Sequence, residues 1–291
     1  MAEKRANTKH NGDLRTVGMI LQPFLIYYIV HFVTLAMLTY LVTRIAQKAG
    51  GELEALYTER QATVSAIISG LAMLAGILPL LSDFRREIDG DNNCDYTYDY
   101  AKKKIDSRRN GEQSLFYKLL LTVMLAFTSS IAINILFLSL QLTENSESYS
   151  QVAEHQYSVF FPIGLFLYGI VSPLAEETVF RGILYNRMKK IFSVVCSIVL
   201  SALLFGLYHG NIVQALYGFL MGMLIAYTYE MCGGFLYAFL FHAVANAAVY
   251  IITGSPALYE RFITPLNGIV FAVVSAVLLF FLNKFIYNSE K

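Results

Sequence analysis

The chain has 291 residues, of which 56% are hydrophobic and 15% charged, and its formal net charge is +1. A typical soluble domain carries about 25% charged residues, so the composition argues against a soluble protein. The formal net charge of +1 gives no sign of a surface for nucleic acid, and no such partner is expected. The three cysteines form no paired motif, which indicates free packing thiols: Cys94, Cys196 and Cys232.

Long apolar runs predict membrane-spanning helices, each of which needs about 20 predominantly apolar residues. Eight segments qualify: 17–45, 62–82, 115–141, 157–187, 191–209, 212–230, 235–253 and 267–287. We therefore predict an all-α fold, a polytopic helical bundle embedded in the lipid bilayer. The first run exceeds the roughly 7–15 apolar residues of a signal peptide, so it is expected to remain as the first helix.

Basic residues between the runs predict the orientation. They concentrate in the N-terminal tail, in the charged loop at 83–114 and in the turn at 187–190, whereas segment 142–156 has no lysine or arginine. The positive-inside rule places these three basic segments, and therefore both termini, in the cytoplasm. The charged loop is interpreted as solvated, with basic residues that suit anionic lipid headgroups.

Ionisable residues inside membrane helices are costly and usually face the bundle interior or a water-filled cavity. In the second half of the chain such residues, with one asparagine, cluster at Glu176, Glu177, Arg181, His209, His242 and Asn246. His31 in the first run stands apart from them. It is interpreted as a structural histidine that hydrogen-bonds a neighbouring helix.

Helical spacing sorts the polar residues of the fourth run. Glu177 and Arg181 are four residues apart and are predicted to pair. Glu176 lies about 100° around the helix, without a partner in its own helix, and is interpreted as free to act. Ser172 and Pro173 form a favoured helix start. The helix is therefore predicted either to restart there, with the carboxylates near its positive end, or to carry a proline kink.

The fifth and seventh runs add matching groups. His242 and Asn246 are four residues apart and point to one spot, and Phe205 lies one turn before His209, where it can wall a pocket. If the fourth and fifth runs form a hairpin, Glu176 and His209 lie level and face each other.

The depth of His242 fits this hairpin less well. It follows Gly233–Gly234 by only eight residues, which predicts a position nearer the cytoplasmic face than Glu176.

These groups suit amide hydrolysis. A carboxylate can take a proton from water while histidine orients that water, and histidine and asparagine can donate to the oxyanion of the tetrahedral intermediate. A zinc site built from His209, His242 and Glu176 is an alternative, but the sequence lacks HExxH and no cofactor is favoured. A proton-coupled transporter also stays open, although transporters more often show repeated topology in two halves.

Three short motifs, EETVFR at 176–181, FGLYH at 205–209 and HAVAN at 242–246, follow the patterns EExxxR, FxxxH and HxxxN in order. Over about residues 157–253 the chain thereby resembles the CPBP family, which comprises CAAX prenyl proteases and bacteriocin-processing enzymes and is also called Abi. The resemblance implies an intramembrane endopeptidase that hydrolyses membrane-associated proteins or peptides by a glutamate mechanism without a metal.

The resemblance also implies residue roles. It assigns water activation to Glu176 and His209, and oxyanion stabilisation to His242 and Asn246. The supporting residues are Glu177, Arg181 and Phe205. A bacterial plasma membrane is the predicted location, with a role in CAAX-type processing, bacteriocin maturation or self-immunity. A non-catalytic scaffold or immunity protein of the same family is the alternative.

This interpretation divides the chain into four regions. Two helices and the charged loop occupy 1–115, and the third helix and an extracytoplasmic loop occupy 116–156. The expected catalytic core is 157–253, and the last helix lies in 254–291.

Overall fold

The computed structural model describes residues 2–89 and 111–289, with side chains over 17–89 and 115–284. The described residues form helices and no strands, which confirms the predicted all-α bundle. In chain order the helices are α1 Ala2–Ala49, α2 Gly51–Glu59, α3 Gln61–Asp89, α4 Gly111–Ser139, α5 Glu147–Tyr157, α6 Phe161–Lys189, α7 Val194–Tyr208, α8 Ile212–Cys232, α9 Phe235–Thr253, α10 Pro256–Phe262 and α11 Pro265–Ser289.

Within the described part of the chain, seven helices are long and apolar enough to cross a membrane: α1, α3, α4, α6, α8, α9 and α11. The fifth predicted span is α7, which has 15 residues and is about 22 Å long, shorter than the roughly 30 Å hydrocarbon core. Short helices α5 and α10 occupy the connections on either side of the predicted core. Cys196 and Cys232 are free, and Cys94 and most of the charged loop lie outside the described residues.

Helix α6 is the centre of the bundle. It packs against α1, α3, α7, α8 and α9, and every residue from 175 to 185 is buried. The first and last spanning helices, by contrast, expose most of their apolar side chains, as expected for surfaces that face lipid. The charged motif on α6 therefore lies in the protein interior and not in lipid.

Helices α7 and α8 pack closely because glycines line their contact. An added Cβ at Gly206 would clash with the carbonyl oxygen of Ala215, and one at Gly222 would lie 3.1 Å from the Phe205 ring. Small residues at such contacts allow helix backbones in membranes to approach closely. This approach brings the end of α7 and the middle of α8 to the same side of α6.

Ion pairs join two of the three segments that were predicted to share one side of the membrane, the start of the charged loop and the turn at 187–190. Arg187 at the end of α6 binds Asp83 at 2.7 Å and Glu87 at 3.1 Å, both on α3. It also donates to the Met19 carbonyl of α1 at 2.7 Å, and Lys190 binds Glu87 at 2.6 Å. The two segments and α1 at Met19 therefore meet at one end of the bundle, while the assignment of that end to the cytoplasm stays a prediction.

Candidate active site

The helix that carries the glutamates runs unbroken through Ser172 and Pro173. Val171 and Ser172 both have helical backbone angles, with φ/ψ of −67°/−49° and −61°/−52°. The predicted restart is therefore wrong, and Glu176 and Glu177 lie in the interior of the helix and not near its positive N-terminal end. The proline is instead accommodated by a π-helical turn at Leu167–Val171, the first wide turn of α6. There the Ser172 N–H donates to the Leu167 carbonyl, five residues earlier. A second wide stretch follows at Thr178–Tyr185.

Asn246 fastens α9 to the first wide turn. In a turn of five-residue spacing the N–H of residue 173 would bond the Tyr168 carbonyl, but proline has no N–H. The Asn246 side chain donates to that carbonyl at 3.1 Å. One of its two amide hydrogens is thus used to dock the helices, and the other is available to a different acceptor.

Glu177 is the centre of a buried ionic cluster. Its Oε1 accepts from Arg181 Nη1 at 2.8 Å, which confirms the predicted pair, and from His242 Nδ1 at 2.7 Å. Arg181 also donates to the Gly222 carbonyl at 2.9 Å, and its guanidinium carbon lies 4.5 Å from the centroid of the Phe205 ring. The side chains of Glu177 and Arg181 are fully buried, so the pair ties α6 to α8 and α9.

Glu176 has its own partners. Its Oε1 accepts from the Ser172 hydroxyl at 2.7 Å, and its Oε2 lies 3.7 Å from His242 Nε2. The expectation that Glu176 lacks a partner in its own helix is therefore wrong, because Ser172 lies one turn earlier on the same face. The spacing of four residues could have identified Ser172, which the sequence presented only as a helix start.

His242 lies between the two carboxylates, level with both. When Glu177 is ionised it accepts the Nδ1–H of His242, and Nε2 is left facing Glu176 across 3.7 Å. This separation exceeds a direct hydrogen bond. His242 thus orients one ring nitrogen toward the glutamate while the other is fixed by Glu177.

The prediction that His242 lies nearer the cytoplasmic face is wrong. Tyr185, eight residues after Glu177, already hydrogen-bonds Glu230 near the α8–α9 turn at 2.8 Å. His242 likewise follows Gly234 by eight residues. The C-terminal end of α6 extends beyond the α8–α9 turn. The basic residues at 187–190 therefore do not lie at the same depth as that turn, which is why the depth of His242 was misjudged.

His209 directly follows α7 and lies on the opposite side of the Phe205 ring from His242. Its Nδ1 lies 2.8 Å from the Phe205 carbonyl oxygen, and the centroid of the Phe205 ring lies 4.9 Å from that of His209 and 5.5 Å from that of His242. Among the described residues, no hydrogen bond or ion pair joins His209 to Glu176. Phe205 therefore stands between the two histidines at the centre of the cluster.

The placement of the potential ligands bears on the zinc alternative. Within the ranges that the structure describes, no group of three or more His, Cys, Asp or Glu side chains is arranged to hold a metal ion. Glu176 and His242 come together, but His209 does not complete a ligand set with them.

A helix outside the predicted core also reaches the site. Tyr27 of α1 lies 3.3 Å from the hydroxyl of Tyr208 on α7, which in turn lies 3.5 Å from Nδ1 of His31. The contact confirms that His31 bonds a neighbouring helix. The contact between the two tyrosines had no sequence signal, because Tyr27 and Tyr208 lie 181 residues apart in the chain.

Comparison with known families bears on the same segment. Residues 158–248 match the model of a family described as Type II CAAX prenyl endopeptidase Rce1-like. These residues are named the Rce1-like domain after the family that they resemble. The match confirms the resemblance drawn from the three motifs, and the Rce1-like domain contains every predicted catalytic residue: Glu176, His209, His242 and Asn246. No curated protein and no solved structure matches the chain.

The Rce1-like family is a protease family. The described part of the chain has seven helices that are long and apolar enough to cross a membrane. The protein is therefore a multi-pass membrane protein with a segment that is similar to a family of peptidases. Helices α1, α3, α4 and α11 lie outside the matched domain. The contact of α1 and α3 with α6 makes them part of the surroundings of the site.

Proposed function

We propose that the protein is an intramembrane endopeptidase that hydrolyses peptide bonds of membrane-associated proteins or peptides with water activated by Glu176. The observation that carries the proposal is the buried cluster in which His242 contacts Glu177 and faces Glu176 from another helix. Such a cluster costs free energy in a membrane protein, and intramembrane ionisable groups usually mark a functional site.

Glu176 is the proposed general base. Its carboxylate takes a proton from water as the water oxygen forms a bond to the carbonyl carbon of the substrate, and the carbonyl electron pair moves to oxygen. When the tetrahedral intermediate collapses, the C–N bond breaks. The proton held by Glu176 passes to the departing amine. Ser172 supports this role because it fixes one carboxylate oxygen and leaves the other toward His242.

His242 and Asn246 are the proposed donors to the oxyanion. When His242 carries both ring protons, Nε2–H donates into the space beside Glu176, and Asn246 has one amide hydrogen besides the one used for Tyr168. Donors of this kind typically contribute about 10²–10³-fold in kcat.

His209 is proposed to hold the attacking water from the other side of the site. Its Nδ1 is fixed by the Phe205 carbonyl, so with Nδ1–H donating there, Nε2 can accept a hydrogen bond from water. Phe205 then separates the water from the ion pair behind it and keeps Arg181 in place by a cation–π contact.

The proposed substrate class is a prenylated CAAX-type protein or peptide, after the description of the matching family. Bacteriocin maturation and self-immunity belong to the wider family that the motifs resemble, and an unprenylated hydrophobic peptide would be the substrate in that case. The exposed apolar surfaces of the first and last spans are suited to lipid, through which either substrate would arrive.

The test is cleavage in liposomes that contain the purified protein. The substrates are a fluorogenic farnesylated peptide ending in a CAAX sequence and an unprenylated transmembrane peptide. Glu176→Gln is expected to lower kcat at least about 100-fold, because a general base contributes about 10²–10⁴-fold. The matched controls are Glu154→Gln and His155→Ala on α5, both exposed and outside the site, and both are expected to retain activity within about twofold of wild type.

Equal cleavage by wild type and Glu176→Gln would disprove the assignment of the base. Cleavage of the same substrates after treatment with a chelator tests the metal alternative. Activity is expected to survive thorough metal removal, and a loss restored by added zinc would overturn the metal-free mechanism.

A further inference from the structure

A small polar cluster joins α1 to the end of α7, next to His209, although α1 lies outside the Rce1-like domain. Tyr27 and His31 lie one turn apart on the same face of α1, and both reach toward Tyr208. Tyr27 is fully buried, and on α3 an added Cβ at Gly76 would lie 2.8 Å from its ring and 3.3 Å from the His31 Cβ. The cluster is therefore held tightly between α1, α3 and α7.

This cluster lies next to the motif residues. The Tyr208 ring packs against the ring of Phe180, which follows Glu176 by four residues on α6, with 5.7 Å between centroids. The Tyr208 ring also packs edge-on against the His209 ring, with 5.6 Å between centroids. The α1 cluster and the motif residues thus border one region of the interior.

His31 Nε2 is the one nitrogen of this cluster without a hydrogen-bond partner among the described residues. His31 Nδ1 faces the Tyr208 hydroxyl, but Nε2 is buried and has no hydrogen-bond partner among the described residues. A buried polar atom without a partner is unfavourable, and more so in a membrane interior, where bulk water cannot compensate. The mechanism proposed above does not use His31, so a ligand that pairs with Nε2 would remove this cost.

We propose that His31, held by Tyr208 and Tyr27, is a substrate-positioning residue that hydrogen-bonds a main-chain amide of the peptide beside Glu176. An extended peptide in the membrane carries unpaired N–H and C=O groups, each of which needs a partner. The two groups match an imidazole nitrogen in either tautomer. This inference rests on the proposed endopeptidase function and assigns α1 a part in substrate binding.

The experiment measures KM and kcat in liposomes with the farnesylated CAAX peptide. His31→Leu is expected to raise KM about 3- to 10-fold while kcat stays within about twofold, because the lost hydrogen bond forms equally in the ground and transition states. In His31→Gln the side-chain amide can replace Nε2, so KM is expected to stay near the wild-type value. Tyr40→Phe is the control on the same helix, since Tyr40 is 68% exposed.

The outcomes separate this inference from the proposed function. If wild type cleaves, Glu176→Gln does not, and His31→Leu keeps the wild-type KM, the positioning role is overturned and the endopeptidase stands. If His31→Leu and His31→Gln lose kcat and thermal stability alike, His31 is structural only and the inference is equally overturned.

A measurement of peptide binding tests the inference without requiring cleavage. Fluorescence anisotropy of the same farnesylated peptide is compared for Glu176→Gln and for Glu176→Gln with His31→Leu. Weaker binding by the double variant, by about 3- to 10-fold, supports the role of His31 even if no cleavage is seen. Equal binding by the two proteins overturns it.

Discussion

At the scale of single residues, the division of labour between adjacent glutamates follows from what each one contacts. Glu177 is fixed by Arg181 and His242 and is completely buried, so it acts as an anchor. Glu176 is fixed by one hydroxyl through one oxygen only, and its second oxygen faces a gap of 3.7 Å to His242. Two neighbouring carboxylates thereby obtain different environments without any difference in side-chain chemistry.

Ser172→Ala tests this orientation. The change removes the 2.7 Å hydrogen bond to Glu176 and lets the carboxylate rotate, so kcat is expected to fall about tenfold, a typical loss for a hydrogen bond to a charged group. Thermal stability in detergent is expected to change little. Ser150→Ala on α5 is the control, because its exposed hydroxyl likewise donates to an oxygen four residues away in its own helix, in this case the Ser146 carbonyl. An unchanged kcat in Ser172→Ala would refute the orienting role.

At the scale of helices, the site depends on how closely α7 approaches α8. Gly206→Ala is expected to destabilise the protein by about 1–3 kcal/mol, since the added methyl group would overlap the Ala215 carbonyl and push α7 outward. Thermal unfolding in detergent measures the loss. Gly18→Ala is the control, because no atom lies within 4 Å of its added Cβ. Equal stability of the two variants would show that the close approach is dispensable.

Helix content was largely predictable, but helix geometry was not. Apolar runs identified each spanning helix, because about 20 apolar residues in succession have few other stable arrangements. The spacing of Glu177 and Arg181 gave their pair for the same local reason. The wide turns of α6 escaped prediction, since their only local signal is Pro173, and this led to the mistaken restart. The depth of His242 was misjudged for another reason, because α6 extends past the α8–α9 turn. The contact of Tyr27 with Tyr208 joins distant segments and had no local signal at all.

At the scale of the whole molecule, Arg187 connects α1, α3 and α6 at one end of the bundle. Arg187→Gln is expected to lower stability by about 1–3 kcal/mol, because it removes hydrogen bonds to two carboxylates and a carbonyl. The difference from wild type is expected to shrink at high salt, since these side chains are partly exposed. Arg85→Gln, exposed on α3, is the control. A loss of the same size in Arg85→Gln would indicate a general charge effect instead.

The wide turns of α6 have a consequence for comparing this chain with others. Each such turn holds an extra residue, which advances the side-chain direction by about 100° relative to an uninterrupted α-helix. A homologous helix without the turns presents the same face only if it is one residue shorter at each of them. Correct alignment across Leu167–Val171 and Thr178–Tyr185 therefore calls for single-residue gaps inside a helix, where alignment methods penalise them most.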